Sequence, residues 1–305
     1  MDWKTILLDP NTQWVLFGSL LLGLSSGVIG SFAYLRKQSL MGDALAHAAL
    51  PGVCLAFMIT GTKSIFSFLI GAIVAGVLAT FSIGYITRHT RIKQDAALGM
   101  VLSVFFGFGI VLLTQIQHSD SGNQSGLDKF LFGQAASLVK SDVYTIGIIA
   151  ALLVLICTLF FKEFKLLSFD PGFAKGIGLP VVWLDQFLMV LLVVAVVVGI
   201  QSVGVVLMAA MLITPAVSAR YWTDRLHIMV AVSGLFGALS GVLGTIFSTM
   251  ADNMPTGPMI VLSATVFFVL SVLFGPTRGV VAKARAKASN KKYVLQQAVK
   301  DVNGL

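Results

Sequence analysis

Residues 181–219 read VVWLDQFLMVLLVVAVVVGIQSVGVVLMAAMLITPAVSA, with Asp185 as the sole charged residue of the run. A helix needs about 20 mostly apolar residues to cross a bilayer, so the run is too long for one span. Near its middle, Gln201-Ser202-Val203-Gly204 supplies polar and small residues suited to a tight turn. The run therefore divides into two spans, 181–200 and 204–219. Backbone left unpaired cannot face lipid, so apolar runs of this kind are helical.

The same pattern extends outward in both directions. Further apolar stretches occupy 14–35, 40–60, 65–86, 96–116, 143–161, 227–249 and 258–274. Of the 305 residues, 57% are hydrophobic and 11% charged, against about 25% charged in an ordinary soluble domain. Mean hydropathy is +0.92. This composition excludes a disordered chain, a secreted disulfide scaffold and most soluble enzymes. Cys54 and Cys157 both lie in apolar runs and build neither a disulfide framework nor a zinc ribbon. The fold class is an all-α polytopic membrane protein of nine transmembrane helices, or eight if a weak segment, 143–161 or its neighbour, does not cross. The first run lacks a cationic leader, and Leu35 is followed by Arg36-Lys37 rather than by small residues, so it does not read as a cleaved signal.

The net charge of +8 is unevenly placed. Lys4, Lys63, Lys129 and Lys140 fall on one side of the expected spans. The other Lys and Arg fall on the opposite side, in loops around 36–37, 88–93, 162–175 and 220–225 and in the tail from Arg278. Cation-rich loops are cytoplasmic, which puts the C-terminus inside the cell. Residues 1–275 form the membrane domain and 276–305 a basic, Ala-rich, partly helical cytoplasmic tail. On the outer side, a polar turn from His118 to Gly126 precedes a half-apolar stretch, Leu127 to Val139, that suits an interfacial or re-entrant helix.

An ionisable residue inside a span is a functional candidate by default. Asp95, Asp185, His89 and His227 sit at span ends or in loops and read as interfacial. Asp43 and His47 differ. They lie in Ser39–Gly52, SLMGDALAHAALPG, at a spacing that puts both on one helical face. Carboxylate oxygen with imidazole nitrogen is a divalent-metal ligand pair. Ala44, Ala46, Ala48 and Ala49 around them leave room for close helix packing or a passing ion. Pro51-Gly52 breaks or bends the helix one turn later. Counted from Ser39, Asp43 lies about 6 Å into the span, nearer the basic face than the midplane, unless Ser39 itself starts below the surface. Leu50 and Cys54 extend the face at i+7 and i+11; Leu50 suits an apolar plug and Cys54 packing. Taken alone, the pair admits three readings: an Asp–His bond tying helices together, a metal pathway, or a proton relay. Two ligands are too few for structural zinc, which is normally four-coordinate; a symmetric dimer would supply four.

The chain has no phosphate-binding loop, no H-E-x-x-H and no Gly-x-Ser-x-Gly. If energy drives transport, it comes from a partner or an ion gradient. A gradient-driven carrier usually shows internal repeats or several buried charges, and neither stands out. On the basic side, Asp170-Pro171 is a helix start and Gly176-Ile177-Gly178-Leu179-Pro180 a stop. The short helix between them, within about 169–180, suits either an interfacial connector or a projection that docks into a motor subunit.

Three blocks resemble the ATP-binding cassette permeases for manganese, zinc and iron. Residues 39–52 resemble that family's signature, Phe169–Gly178 (FDPGFAKGIG) its coupling-helix region, and Gly204–Ala216 (GVVLMAAMLITPA) its later membrane motif. The likeness runs from about residue 14 to 276. It implies a fold similar to the cobalamin and siderophore importers with fewer helices. It also implies a transport subunit without catalysis of its own, and no permanently bound cofactor. Implied partners are a second permease copy or paralogue, two cytoplasmic ATPase subunits and an extracellular metal-binding protein, all at a bacterial plasma membrane. By the same resemblance, Asp43 and His47 are the intramembrane metal ligands. Ala46, Leu50 and Pro51 line or gate the path. Asp170, Pro171, Phe173, Ala174, Lys175 and Gly176 engage the ATPase. The basic tail is longer than the family core, and Cys54 is not carried over as a ligand. Mixed oxygen and nitrogen ligation suits Mn²⁺ and Zn²⁺, and the lack of thiolate clusters or a His-rich loop leans to manganese. The competing reading is a gradient-driven secondary transporter with Asp43–His47 as a proton or ion relay.

Overall fold

Helices begin and end where the chain carries its turn chemistry. In the computed structural model, residues 10–61, 65–118, 138, 140–250, 254–284 and 287 are described. The expected outer helix at Leu127–Val139, apart from Leu138, and most of the tail lie outside them. Among the described residues there is no strand; twelve helices build the fold, and a short helical stretch follows at 280–284. The twelve are α1 (Pro10–Leu35), α2 (Met41–Ala48), α3 (Leu50–Thr60), α4 (Ile65–His89), α5 (Gln94–His118) and α6 (Lys140–Leu159). After these come α7 (Phe161–Phe169), α8 (Pro171–Gly176), α9 (Val181–Val203), α10 (Val205–Arg220), α11 (Leu226–Thr249) and α12 (Thr256–Phe274).

Among the described residues eight segments are long and apolar enough to cross a membrane, with α2 and α3 together forming one of them. The segment expected to be weak, 143–161, falls almost wholly within a full 20-residue helix, α6. The short one is instead α10, at 16 residues. It is enclosed by α1, α2, α9, α11 and α12, and Met208, Met211, Leu212, Ala216 and Ala219 are fully buried. A helix walled in by other helices need not match the thickness of the bilayer. The expected turn within 201–204 shrinks to one residue. Gly204 has φ 89° and ψ 165°, a conformation that only glycine adopts without cost.

At the centre, α1 packs against α6, α9, α10 and above all α11. Ser19, Gly23 and Gly27 recur every four residues on α1, and Ser233, Gly237, Gly241 and Thr245 do so on α11. A Cβ on Gly23 would fall on the carbonyl of Gly237, and one on Gly237 on the carbonyl of Gly23. With the backbones this close, Ser233 donates to the Gly27 carbonyl at 2.7 Å and the Ser19 and Thr245 hydroxyls meet at 2.9 Å. Lipid tails are as apolar as leucine, so close backbone contact and such bonds hold membrane helices together.

Residues Phe161–Phe169 form a helix, α7, on the basic side ahead of α8. Its Phe164 and Leu167 are fully buried although Lys162, Glu163 and Lys165 surround them. Phe164 meets Phe32 of α1 edge-on at 5.5 Å, and Phe160 meets Phe187 of α9 at 5.4 Å. These rings fasten α7 to the ends of α1 and α9.

Candidate functional site

The Asp43–His47 segment is a short helix between two breaks. At its entry, Lys37 takes φ 58°, and Gln38 donates to the Ala33 carbonyl at 2.9 Å while Lys37 donates to Tyr34 at 3.0 Å. This paired bonding closes the end of α1. At its exit, α2 stops at Ala48 and α3 starts at Leu50. Pro51 has no N–H to offer the carbonyl one turn back, that of His47. The break expected at Pro51-Gly52 therefore falls just before it, at Ala49.

Within α2, His47 Nε2 and Asp43 Oδ1 are 3.7 Å apart, with side-chain exposures of 26% and 46%. That separation is too long for a hydrogen bond. Because both groups stand on one helix, their pairing does not itself join α2 to a neighbour. The imidazole is held edge-on to Phe106 of α5, centroids 5.0 Å apart at 80°. The acid sits in the first turn, where the helix dipole favours negative charge, and the imidazole in the last. Both groups are partly exposed, with one carboxylate oxygen and one imidazole nitrogen facing each other. Among the described residues no group of three or more His, Cys, Asp and Glu is placed to hold a metal.

Past His47 the chain keeps its contact with α5, the helix whose Phe106 meets the imidazole. Leu50 is 3% exposed and turns toward α5, where a Cβ on Gly109 would lie 2.8 Å from its Cγ. Cys54 is buried on the same side, with Sγ 3.8 Å from the Gly109 carbonyl. Ala46 and Pro51 are buried as well. On its other side α3 is held to α4 by mutual close approach of Gly52 and Gly71.

Elsewhere in the chain, α8 begins as its sequence directs. Asp170 Oδ1 accepts from the Phe173 N–H at 2.8 Å, with Pro171 in the first turn. It ends with Gly178 at φ 87°, and Leu179 donates to the Ala174 carbonyl at 3.0 Å. Ala174 is buried, whereas Asp170, Pro171, Gly172, Phe173, Lys175 and Gly176 are exposed. Phe173 is 57% exposed, and Phe169 and Ile177 stand out beside it. An aromatic and aliphatic knob projects from a rigid base.

One feature was not read from the sequence. Asp185, expected to be interfacial, is ion-paired with Arg36, and its other oxygen is 3.7 Å from Arg88. Basic loops that were assigned to one side by charge counting thus meet physically. A second meeting joins Arg220, Asp224 and Arg278, at 3.1 and 3.0 Å.

Residues 9–275 match the ABC 3 transport family. The manganese transport system membrane protein MntC of Bacillus subtilis is 60% identical over 278 residues, which cover 91% of this chain and 64% of that protein. The zinc transport system membrane protein TroC of Treponema pallidum is 46% identical, covering 90% of this chain and 92% of that one. Among solved structures, PsaBC from Streptococcus pneumoniae in complex with Fab superposes with a TM-score of 0.79 at 37% identity, over 90% of this chain and 95% of that chain. An inward-facing putative metal-chelate type ABC transporter shares the fold, with a TM-score of 0.65 at 18% identity over 86% of this chain and 84% of that chain. A match over this length, with relatives this similar across nearly the whole chain, means that the chain belongs to the ABC 3 transport family.

Proposed function

We propose that this chain is the transmembrane permease subunit of an ATP-driven importer of divalent metal ions, with manganese the first substrate and zinc the next. The observation that carries the reading is the Asp43–His47 pair, one carboxylate and one imidazole 3.7 Å apart and partly exposed on one short apolar helix. The names of the relatives supply the metals: a manganese system at 60% identity and a zinc system at 46%.

In this mechanism residues 1–275 form the permease and 276–305 a cytoplasmic tail. Asp43 and His47 replace part of the hydration shell of an ion released by an extracellular binding protein. A second permease copy or paralogue, apposed where the pair is exposed, brings a second pair. Leu50, with Ala46 and Pro51 beside it, closes the path in the resting state and must move to open it. Two cytoplasmic ATPase subunits grip α8 through Phe173 and its neighbours, so hydrolysis belongs to them and not to this chain. The assembly sits in a bacterial plasma membrane. The gradient-driven alternative, with Asp43–His47 as a relay, is favoured by no specific contact.

The test is cellular metal content by elemental mass spectrometry in metal-limited medium, for wild type, Asp43→Ala, His47→Ala and a permease deletion. One divalent metal should fall in both variants as far as in the deletion, at unchanged protein level. Metal content like wild type in both variants would remove the pair from the path. Uptake by the permease alone in liposomes, without an ATPase, would favour the gradient-driven reading instead.

A further inference from the structure

We propose that Arg36 is a positioning residue that ties the motor-facing helix α8 to the metal-site helix α2. This inference rests on the permease reading above.

The observation is a fork. One arm of the Arg36 guanidinium, Nη1, donates to the Leu167 carbonyl at 2.8 Å. The other, Nη2, pairs with the Asp185 carboxylate, which Arg88 approaches from the end of α4. Leu167 lies in α7, three residues before the Asp170 cap of α8. Asp185 is the fifth residue of α9, shortly after α8 and its Gly178-Leu179-Pro180 exit. One side chain therefore holds both the entry to α8 and the exit from it. The helix α8 packs on α7 and α9, so a push on α8 is felt at the two places that Arg36 grips.

On its other side Arg36 leads directly into the site. It follows the last residue of α1 and is succeeded by the bonded turn at Lys37 and Gln38, after which α2 starts at Met41. The turn is stiff: Met41 donates to the Gln38 carbonyl at 3.0 Å, and Gln38 is buried. Displacement of the fork must carry the start of α2, and Asp43 with it. Arg36 Nε and Gln38 Oε1 are also buried without hydrogen-bond partners, so the turn has bonding capacity that a second arrangement can use.

Two plainer roles predict something different. An anchor for topology needs only a positive charge, which lysine supplies. A stabilising ion pair needs one partner, and a buried pair is weak support for stability in any case. Spanning two acceptors on two helices needs the planar fork of arginine, for which lysine is no substitute.

The experiment uses the full complex in liposomes, permease with its ATPase and binding protein, with Mn²⁺ as the probe. Metal uptake and ATP hydrolysis are measured on the same vesicles for wild type, Arg36→Lys, Asp185→Asn and Asp224→Asn. In Arg36→Lys and Asp185→Asn, hydrolysis should continue within about twofold of wild type while uptake per ATP falls about tenfold, the size of an ordinary coupling between sites. Asp224→Asn, which alters the separate surface cluster, should match wild type. Wild-type uptake per ATP in Arg36→Lys overturns the proposal, as does a proportional fall of uptake and hydrolysis in both variants. If Asp185→Asn fails to reach the membrane, Arg36→Lys decides alone. A wild-type complex that imports no metal with ATP overturns the permease reading rather than this one.

Discussion

Asp43 Oδ1 and His47 Nε2 stand 3.7 Å apart across one turn of α2, and the ring of His47 meets Phe106 edge-on. The pair is close enough to share one cation and too far apart to satisfy itself with a hydrogen bond. A carboxylate and a neutral imidazole bind metal only after losing their protons, so metal and protons compete. The sign follows: affinity rises with pH and falls on acidification. Initial uptake measured at fixed free Mn²⁺ should fall as the medium is acidified, and raising the metal concentration should restore it. ATP hydrolysis by the complex, followed in parallel, separates this competition from acid damage to the motor. Uptake that does not depend on pH at limiting metal would rule out proton-linked ligands.

The α1–α11 contact predicts a contrast between glycines. A methyl group on Gly23 meets the Gly237 carbonyl, which is backbone and cannot swing aside. Gly23→Ala must separate the helices and stretch the Ser233 to Gly27 bond of 2.7 Å. Overpacking of this kind costs about 1–3 kcal/mol. Gly107 of α5 has open space around its would-be Cβ, so Gly107→Ala should be neutral, or stabilising by up to about 1 kcal/mol through helix propensity. Thermal unfolding of the purified protein in detergent reads both: the midpoint should fall for Gly23→Ala and hold or rise for Gly107→Ala.

The knob on α8 predicts a ranking. Phe173 is 57% exposed on a helix whose base is fixed by buried Ala174. Exposed aromatics that become buried at an interface dominate binding, and losing one costs about 2 kcal/mol, roughly 30-fold in affinity. Asp170→Ala removes only the cap on the Phe173 N–H, at about 1 kcal/mol. Titrating the ATPase onto the permease in nanodiscs should show Phe173→Ala weakened most, Asp170→Ala less, and Lys175→Ala least. Equal affinity for Phe173→Ala would place the ATPase contact elsewhere.

Much of this architecture was legible because turn chemistry is local. Gly204, Pro51 and Asp170-Pro171 mark breaks wherever the chain folds, and apolar runs of span length have no use in water. The Asp43–His47 face was legible for the same reason, since i and i+4 always share a side. What failed was non-local. Whether 205–220 needs full bilayer length depends on the five helices around it, which no window of residues records. The buried Phe164 was hidden by the charged residues on either side of it. Arg36 counted as one more cation in a basic loop; its partners, Leu167 and Asp185, are 131 and 149 residues away in the chain.

The two ion-pair clusters on the basic side should answer to mutation in opposite ways. Asp224 is 59% exposed, and it meets Arg220 and Arg278 at 3.1 and 3.0 Å. In water such pairs gain little Coulomb energy, lose side-chain freedom and are screened by salt, so each is worth about 0–1 kcal/mol. Asp185 is 22% exposed and serves two arginines. Removing its charge leaves Arg36 partly buried without its counter-ion, at a cost of about 1–3 kcal/mol. Thermal midpoints in detergent at low and high salt should therefore show Asp224→Asn near wild type at both. Asp185→Asn should sit lower at both, because salt reaches a covered pair poorly. Matching midpoints for the two variants would mean that the cover over Asp185 does not shield it from solvent.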